Sequence, residues 1–433
     1  MASPLRGIVS VLPSDAAHDM TSGKVASSGI PTPRSLRYLI AVAVALSMGA
    51  ALSLGIARFA YGLLLPPMRQ DLNWSYTLAG AMNTVNALGY LLGALFTPQL
   101  LRRWGASRVL LGGAVLASVF MALSGFFIAS GPLLLQRFLA GFASALVFVA
   151  GGLLAARLGA LAPGRSGFLL GLYYGGTGFG IIFSALCVPL VLEWSAQLSH
   201  GWSWAWWALA LACVAASLAL VWPAHVLQAM SMPVASVAST APRQFAWRDF
   251  SFSLAGYGLF GVGYIGYMTF VIALLRERGA SASSVTLFYA LLGLAVVASS
   301  RIWAGLLDRY KGGQVLALLN GLLGLATVLP ALTSSWAVII VSGILFGAVF
   351  LSVVASTTTL VRHNLPPAAW ANGISAFTIV FAAGQIVGPT VVGWIADGPG
   401  GLSRGLLYSA LALWLGAVLA WRQRPLGQSD PGH

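Results

Sequence analysis

The stretch LGIARFAYGLLLPPM, Leu54 to Met68, is almost wholly apolar and yet carries Arg58. The apolar run around it extends from Leu39 to Pro66. That is long enough to cross a bilayer, which takes about 20 residues. A guanidinium cannot be neutralised at working pH, and at mid-bilayer it costs about 2.5–3.5 kcal/mol on insertion scales. Outward from this stretch the chain holds eleven more such runs, the next at 77–100 and the last at 403–420. Of its 433 residues 58% are hydrophobic and 7% charged, against roughly 25% charged in soluble domains. Backbone in hydrocarbon must satisfy its own hydrogen bonds, and no ten-residue alternation of a barrel is present, so the runs read as helices. The expected fold class is an all-α polytopic membrane protein with twelve transmembrane helices.

A net charge of +14 raises the question of nucleic acid, but the distribution of the charge points to the membrane. Of the Lys and Arg residues, only Arg69, Arg276, Arg278 and Arg404 fall on the side away from the termini, and Arg58, Arg137 and Arg301 fall within runs. The rest lie on the terminal side, which the positive-inside rule makes cytoplasmic. No nucleic-acid partner is expected; the partner is the lipid bilayer. Residues 1–38, rich in Ser, Pro, Ala and Gly, read as a disordered cytoplasmic segment, and they lack the apolar core of a signal peptide. Six helices occupy 39–222, a cytoplasmic linker 223–250, six more helices 251–421, and a cytoplasmic tail 422–433. Cys187 and Cys213 read as small packing residues. No His, Cys and carboxylate cluster has metal-ligand spacing, and no cofactor is expected.

The two sets of helices share one offset of 206 residues. Gly55-Ile-Ala-Arg58-Phe-Ala-Tyr61 lies over Gly261-Val-Gly-Tyr264-Ile-Gly-Tyr267, Arg102-Arg103 over Asp308-Arg309, Gly141 over Gly347, and Gly178 over Gly384. Six is even, so a duplicated six-helix unit inserts twice in the same orientation. Parallel six-helix repeats are the architecture of major facilitator transporters.

Five strings strengthen that reading: GIARFAYGLLLP in helix 1, NALGYLLGAL in helix 2, RFLAGFASALVFV in helix 4, GLYYGGTGFGI in helix 5 and GQIVGP in helix 11. Through them the chain from Leu39 to Trp421 resembles the major facilitator superfamily, and within it the bacterial YbfB/YjiJ-type branch. The resemblance implies two six-helix bundles, a secondary transporter of the bacterial inner membrane, and a central cavity lined by helices 1 and 7. It also implies that helices 5 and 8 meet at the boundary between the halves. The superfamily's loop motif after helix 2, G-x-L-x-D-R-x-G-R-R, is degenerate in LLRRWGASR, where Arg102 takes the acidic place. GLLDRYKGG in the second half keeps Asp308 and Arg309. Arg137 and Gly141 match the helix-4 pattern R-x-x-x-G. The antiporter signature of helix 5, a Gly-Pro within a glycine run, is missing, while Gly384-x-x-x-Gly388-Pro389 stands in helix 11.

The candidate site residues follow. Arg58 lies eight residues before Pro66, where helix 1 is expected to end, so about 12 Å deep. No Asp or Glu lies within any run to pair with it; the bland alternative is solvation by carbonyls, Tyr and Asn. Arg137, five residues after Pro132, sits in the first turns of helix 4 and could snorkel or serve as a second counter-charge. Tyr61 is one turn beyond Arg58 on its face, and Tyr264 and Tyr267 hold the corresponding places in helix 7. Asn86 and Tyr90, with Asn83, make a polar stripe on helix 2, and Gln385 is a lone amide in helix 11. Each could instead be packing. Gly175, Gly176, Gly178 and Gly180 sit inside an apolar run with no preceding soluble strand, so they are no phosphate loop. With Gly384, Gly388 and Pro389 they read as sites of close packing or bending. The five Trp between Glu193 and Trp207 read as an interfacial belt. Arg102, Arg165, Asp308 and Arg309 form a candidate cytoplasmic gate. In it Asp308 meets the N-terminus of helix 5 and Arg165 only when that side is closed.

Together these point to alternating-access transport of a small organic anion bound between the halves by Arg58. If protons are coupled, the substrate's own acid group carries them. Efflux of apolar or cationic compounds suits the aromatic content but leaves Arg58 unexplained. A non-transporting sensor needs a signalling domain for which the termini are short. An enzyme needs a nucleophile, acid/base pair or metal, and the runs offer none.

Overall fold

A computed structural model of the chain describes residues 35–162, 165–229, 245–366 and 369–426. Nearly all of the N-terminal segment, the middle of the linker and the end of the tail lie outside these residues. Twelve long helices carry the chain: α1 Leu36–Leu72, α2 Tyr76–Trp104, α3 Ala106–Ser124, α4 Ser130–Ala160, α5 Ser166–Trp194 and α6 Trp202–Ala229. They continue with α7 Ser251–Glu277, α8 Ala282–Ile302, α9 Gln314–Leu332, α10 Trp336–Asn364, α11 Trp370–Ala396 and α12 Gly401–Trp421. All twelve are long and apolar enough to span a membrane. The face where α1 begins and α12 ends is called terminal below, and the opposite face distal.

Two boundaries differ from expectation. Helix α1 does not end at Pro66 but runs through Pro66-Pro67 to Leu72, where Asn73 turns left-handed (φ 51°) and its N–H caps Arg69 O. Proline inside a helix costs about 3 kcal/mol in water. In a span, an unravelled backbone has no water to turn to, so the helix carries on. Likewise α6 passes through Pro223 to Ala229, and a short 3₁₀ turn, Trp247–Phe250, leads into α7. The linker is therefore shorter than 223–250 at both ends.

The duplication read from the sequence is visible in the packing. Ser75 caps α2 by accepting Leu78 N–H at 3.1 Å, and Ser281, 206 residues later, caps α8 by accepting Ser284 N–H at 3.1 Å. Within the first half α1 packs on α5 and α6, α2 on α4, and α3 on α4 and α6; in the second half α7 packs on α11 and α12, α8 on α10, and α9 on α10 and α12. Between the halves, α2 meets α11 and α5 meets α8, contacts that a two-fold exchange converts into each other.

Helices α1 and α7 are the most deeply set, with 72% and 83% of their apolar windows buried against 39% for α6, α8 and α12. Glycine is what admits neighbours so close. A Cβ on Gly180 would lie 2.3 Å from Ala51 O, and one on Gly176 2.0 Å from Ser47 O, so these two seat α5 against α1. Gly178 instead faces Gly293 O of α8, across the halves, and Gly175 is looser. Gly384 and Gly388 seat α11 against α7, at Gly258 O and Val262 O.

Candidate functional site

Arg58 stands near the middle of α1, at the end of a π-wound stretch, Ala51–Phe59, in which every residue is buried. π-winding, with i→i+5 bonds, is rare and recurs at functional sites. The side chain is 3% exposed, and its Nε and Nη2 atoms are buried without a hydrogen-bond partner. Covalent geometry makes those two the parallel N–H edge of the guanidinium, the fork that a carboxylate takes in a bidentate pair. The guanidinium lies 5.5 Å from the centre of the Tyr90 ring. It is also within electrostatic reach of Tyr264, its counterpart at the 206-residue offset. No acid among the described residues is seen to answer it; the His200–Asp71 ion pair lies at the distal face.

Arg137 is placed differently. Its Nη1 donates to Ala57 O at 2.8 Å and its Nη2 to Asn83 Oδ1 at 3.2 Å. The guanidinium lies 5.0 Å from the Tyr61 ring centre and 5.6 Å from that of Trp206. It is 1% exposed, too enclosed to snorkel, and ties α4 to α1 and α2. Asn86 Nδ2 donates to Arg137 O at 2.9 Å, and Tyr61 donates its hydroxyl to Ala79 O at 2.8 Å. Tyr61, just past the change from π to α winding, keeps its ring against Arg137 and its hydroxyl on Ala79 O. Tyr267 bonds to Ser342 and stacks on Phe346 at 4.1 Å, inside the second half.

Four of the eight expected substrate residues therefore converge: Arg58, Tyr90, Tyr264 and Gln385, the last accepting the Tyr264 hydroxyl at 2.6 Å. The other four, Tyr61, Asn86, Arg137 and Tyr267, hold the scaffold around them. Beside Tyr264 rises a column of nearly parallel rings. Tyr264 stacks on Phe260 at 4.8 Å, on Phe381 at 5.6 Å and on Phe350 at 5.8 Å, and Tyr257 stacks on Phe381 at 5.0 Å. Sequence reasoning missed the phenylalanines, although Tyr257, Phe260 and Tyr264 recur at helical spacing on α7.

Hydrogen bonds join the halves on the distal side, where eight of them cross between the two bundles. Asp397, just past α11, accepts Tyr76 N–H at 2.7 Å, Thr77 N–H at 2.9 Å and the Thr77 hydroxyl at 2.6 Å. A carboxylate from one half thus caps the N-terminus of a helix from the other. Burial raises its pKa, but the Thr77 and Tyr76 bonds and the Arg69 charge outweigh that and hold Asp397 below the ordinary carboxylate value. Tyr76 also donates to Glu277 and lies 3.8 Å beneath the Arg69 guanidinium. Deeper, Asn83 donates to Thr269 and Tyr289 of α8 donates to Phe59 O, each at 2.8 Å. A distal vestibule of about 1460 Å³, bordered by Leu63, Arg69, Glu277 and Val285, lies on the distal side of that seal.

At the terminal face the expected gate residues make no such bonds. Asp308 is exposed, in the short helix Ala304–Arg309 after α8, and has no hydrogen bond or ion pair with a described residue. Arg165, at the N-cap of α5, and Arg102 are exposed, and Arg309 lies 5.7 Å from the Tyr310 ring centre. The terminal ends of α5 and α8 meet by packing, Arg301 lying 5.1 Å from the Phe168 ring centre.

Comparisons with known proteins agree with this architecture. The profile of the family described as "Uncharacterised MFS-type transporter YbfB" matches residues 50–421. Among solved structures, the nucleoside transporter NupG is 15% identical with a TM-score of 0.67, covering 90% of this chain and 100% of its own. A bacterial homologue of the human lysosomal transporter Spinster, in an inward-facing and unoccupied conformation, is 16% identical with a TM-score of 0.59, covering 89% and 95%. At such identities the likeness is one of fold. No curated protein matches the chain. Twelve spans in two parallel repeats around a central cationic site define a multi-pass membrane transporter of the major facilitator superfamily. The chain belongs to the YbfB-type family within it.

Proposed function

We propose that the protein carries a small organic anion across the bacterial inner membrane by alternating access, with Arg58 as the counter-charge. The observation that carries this reading is the bare Nε–Nη2 edge of Arg58, buried at mid-span. An unanswered cation there destabilises the empty protein, and the natural compensation is an anionic ligand. Arg137 supports the site from behind by holding α1 to α4. The bias of Lys and Arg makes the terminal face cytoplasmic. The distal hydrogen bonds then close the outer side, and a cargo leaves or enters from the cytoplasm. Asp308 and the N-terminus of α5 with Arg165 form the opposing latch, made only when the terminal face closes. Tyr90 offers its hydroxyl to the cargo, and the hydrogen-bonded pair of Tyr264 and Gln385 borders the site from the second half. The acids Asp71, Glu193, Glu277 and Asp397 all sit near the distal ends of helices, so a coupled proton travels on the substrate's own acid group.

The test is flux into proteoliposomes with a panel of carboxylates, amines, apolar drugs and neutral nucleosides, with and without a pH gradient. Uptake confined to carboxylates supports the reading; uptake of amines or neutral compounds alone overturns it.

A further inference from the structure

We infer that the cargo is a planar aromatic monocarboxylate, whose carboxylate takes the free edge of Arg58 while its ring joins the aromatic column beside Tyr264. This rests on the anion reading above and narrows it through three observations.

The first is the shape of the free cationic edge. Nε–H and one Nη2–H of Arg58 point the same way and are both unpartnered in a side chain 3% exposed. Two parallel donors match the two oxygens of one carboxylate in its plane. The second is the count of available charges. Arg137 is the only other guanidinium nearby. It is held by Ala57 O and Asn83 and enclosed by the Tyr61 and Trp206 rings. One free fork accommodates one carboxylate, and a second anionic group on the cargo would be buried without an answering charge.

The third is what the facing half presents. Opposite Arg58 the second half offers rings in one orientation. Phe260 and Phe381 are 5.3 Å apart at 10°, Tyr264 and Phe350 are at 13°, and Tyr264 and Phe381 at 20°. Offset-parallel stacking at these distances favours a further flat ring in the same orientation over a saturated one of equal bulk. The Tyr264 hydroxyl is already satisfied within the protein by Gln385. A polyhydroxylated sugar would find few partners, whereas a flat hydrocarbon face finds several. A carboxylate set directly on the ring holds the charge and the flat face in one rigid unit, short enough to serve the Arg58 fork and the rings around Tyr264 together.

Direct binding to the purified, full-length protein in nanodiscs at neutral pH tests this with a ligand series: labelled benzoate, cyclohexanecarboxylate, phthalate and benzamide. Benzoate should bind at least tenfold more tightly than cyclohexanecarboxylate, which keeps the charge and bulk but lacks the flat ring. It should also bind at least tenfold more tightly than phthalate, which adds a second charge, and benzamide, which removes it, should not bind. Phe350→Leu should erase most of the preference of benzoate over cyclohexanecarboxylate without weakening the latter, and Arg58→Ala should abolish binding of both. The wild-type series decides the matter even if a variant fails to fold. Equal affinity for benzoate and cyclohexanecarboxylate, with both lost in Arg58→Ala, would overturn the aromatic assignment while leaving an anion carrier. Failure of every carboxylate to bind would overturn both.

Discussion

Replacing Asp397 by Asn probes the distal closure at its most exposed point. The carboxylate accepts three hydrogen bonds from the first turn of α2. Asparagine keeps a single acceptor oxygen and forfeits the charge. Loss of charge at a helix N-terminus costs about 0.3–1 kcal/mol, and loss of a capping acceptor about 0.5–2 kcal/mol. Asp397 is exposed, so solvent screening places the sum near the lower end, at about 1 kcal/mol. These bonds join the two halves and exist only while the distal face is shut. The ratio of distal-open to distal-closed molecules should therefore rise roughly fivefold. Spin labels on Leu198→Cys and Ala282→Cys, exposed positions on either half of the distal face, report that ratio by double electron–electron resonance. Cys187 and Cys213 would be replaced by Ala. The sign of the pH dependence follows from the depressed pKa of Asp397. Its contribution to closure is complete above the free carboxylate value of about 3.9 and is lost as pH falls through the lower, bound value. Between pH 8 and 5 the distribution should stay constant. An Asp397→Asn distance distribution identical to that of the unmutated pair would refute the cap as an energetic link between the halves.

Other perturbations follow from the same geometry. A Cβ on Gly80 would lie 2.2 Å from Pro389 O; Gly80→Ala should push α2 from α11 and open the distal face more than Asp397→Asn, read with the same labels. Arg58→Met removes an unanswered buried cation and should stabilise the purified protein by an amount on the order of 1–3 kcal/mol, seen as a higher melting temperature. Arg137→Met strands Ala57 O and Asn83 Oδ1 and should lower it, at about 1–3 kcal/mol for each unpaired group; differential scanning fluorimetry separates the two. Asp308→Asn should speed labelling, from the cytoplasmic side, of a single cysteine in the terminal half of α5, while Arg102→Ala should do so much less. Equal rates for Asp308→Asn and its parent would remove the terminal latch.

The fold was legible because its signals repeat. Twelve apolar runs, one offset of 206 residues and the positions of glycine all reappear as helices, mirrored pairings and close backbone approaches. What escaped the sequence were effects of winding and partner choice. Tyr61 looked like a partner of Arg58 because ordinary helical spacing puts it one turn away, but its ring lies against Arg137 and its hydroxyl is taken by Ala79 O. Pro66-Pro67 looked like a terminus because proline rules describe helices in water. Arg137 looked like a second counter-charge or a snorkelling side chain, since it too is a lone cation in an apolar run. Only the fold brings Ala57 O, Asn83, Tyr61 and Trp206 around one of them and leaves the other bare. Asp397 gave no signal at all: a single acid in a Gly-Pro loop becomes a cap only when α2 of the other half arrives beneath it.

Counterflow of a carboxylate into preloaded proteoliposomes, compared among wild type, Arg58→Lys and Arg58→Ala at equal reconstituted amounts, addresses the central site directly. The expected result is rapid exchange by wild type, reduced exchange by Arg58→Lys, which keeps the charge but loses the planar fork, and none by Arg58→Ala. Exchange by Arg58→Ala at the wild-type rate would show that the buried guanidinium does not hold the cargo.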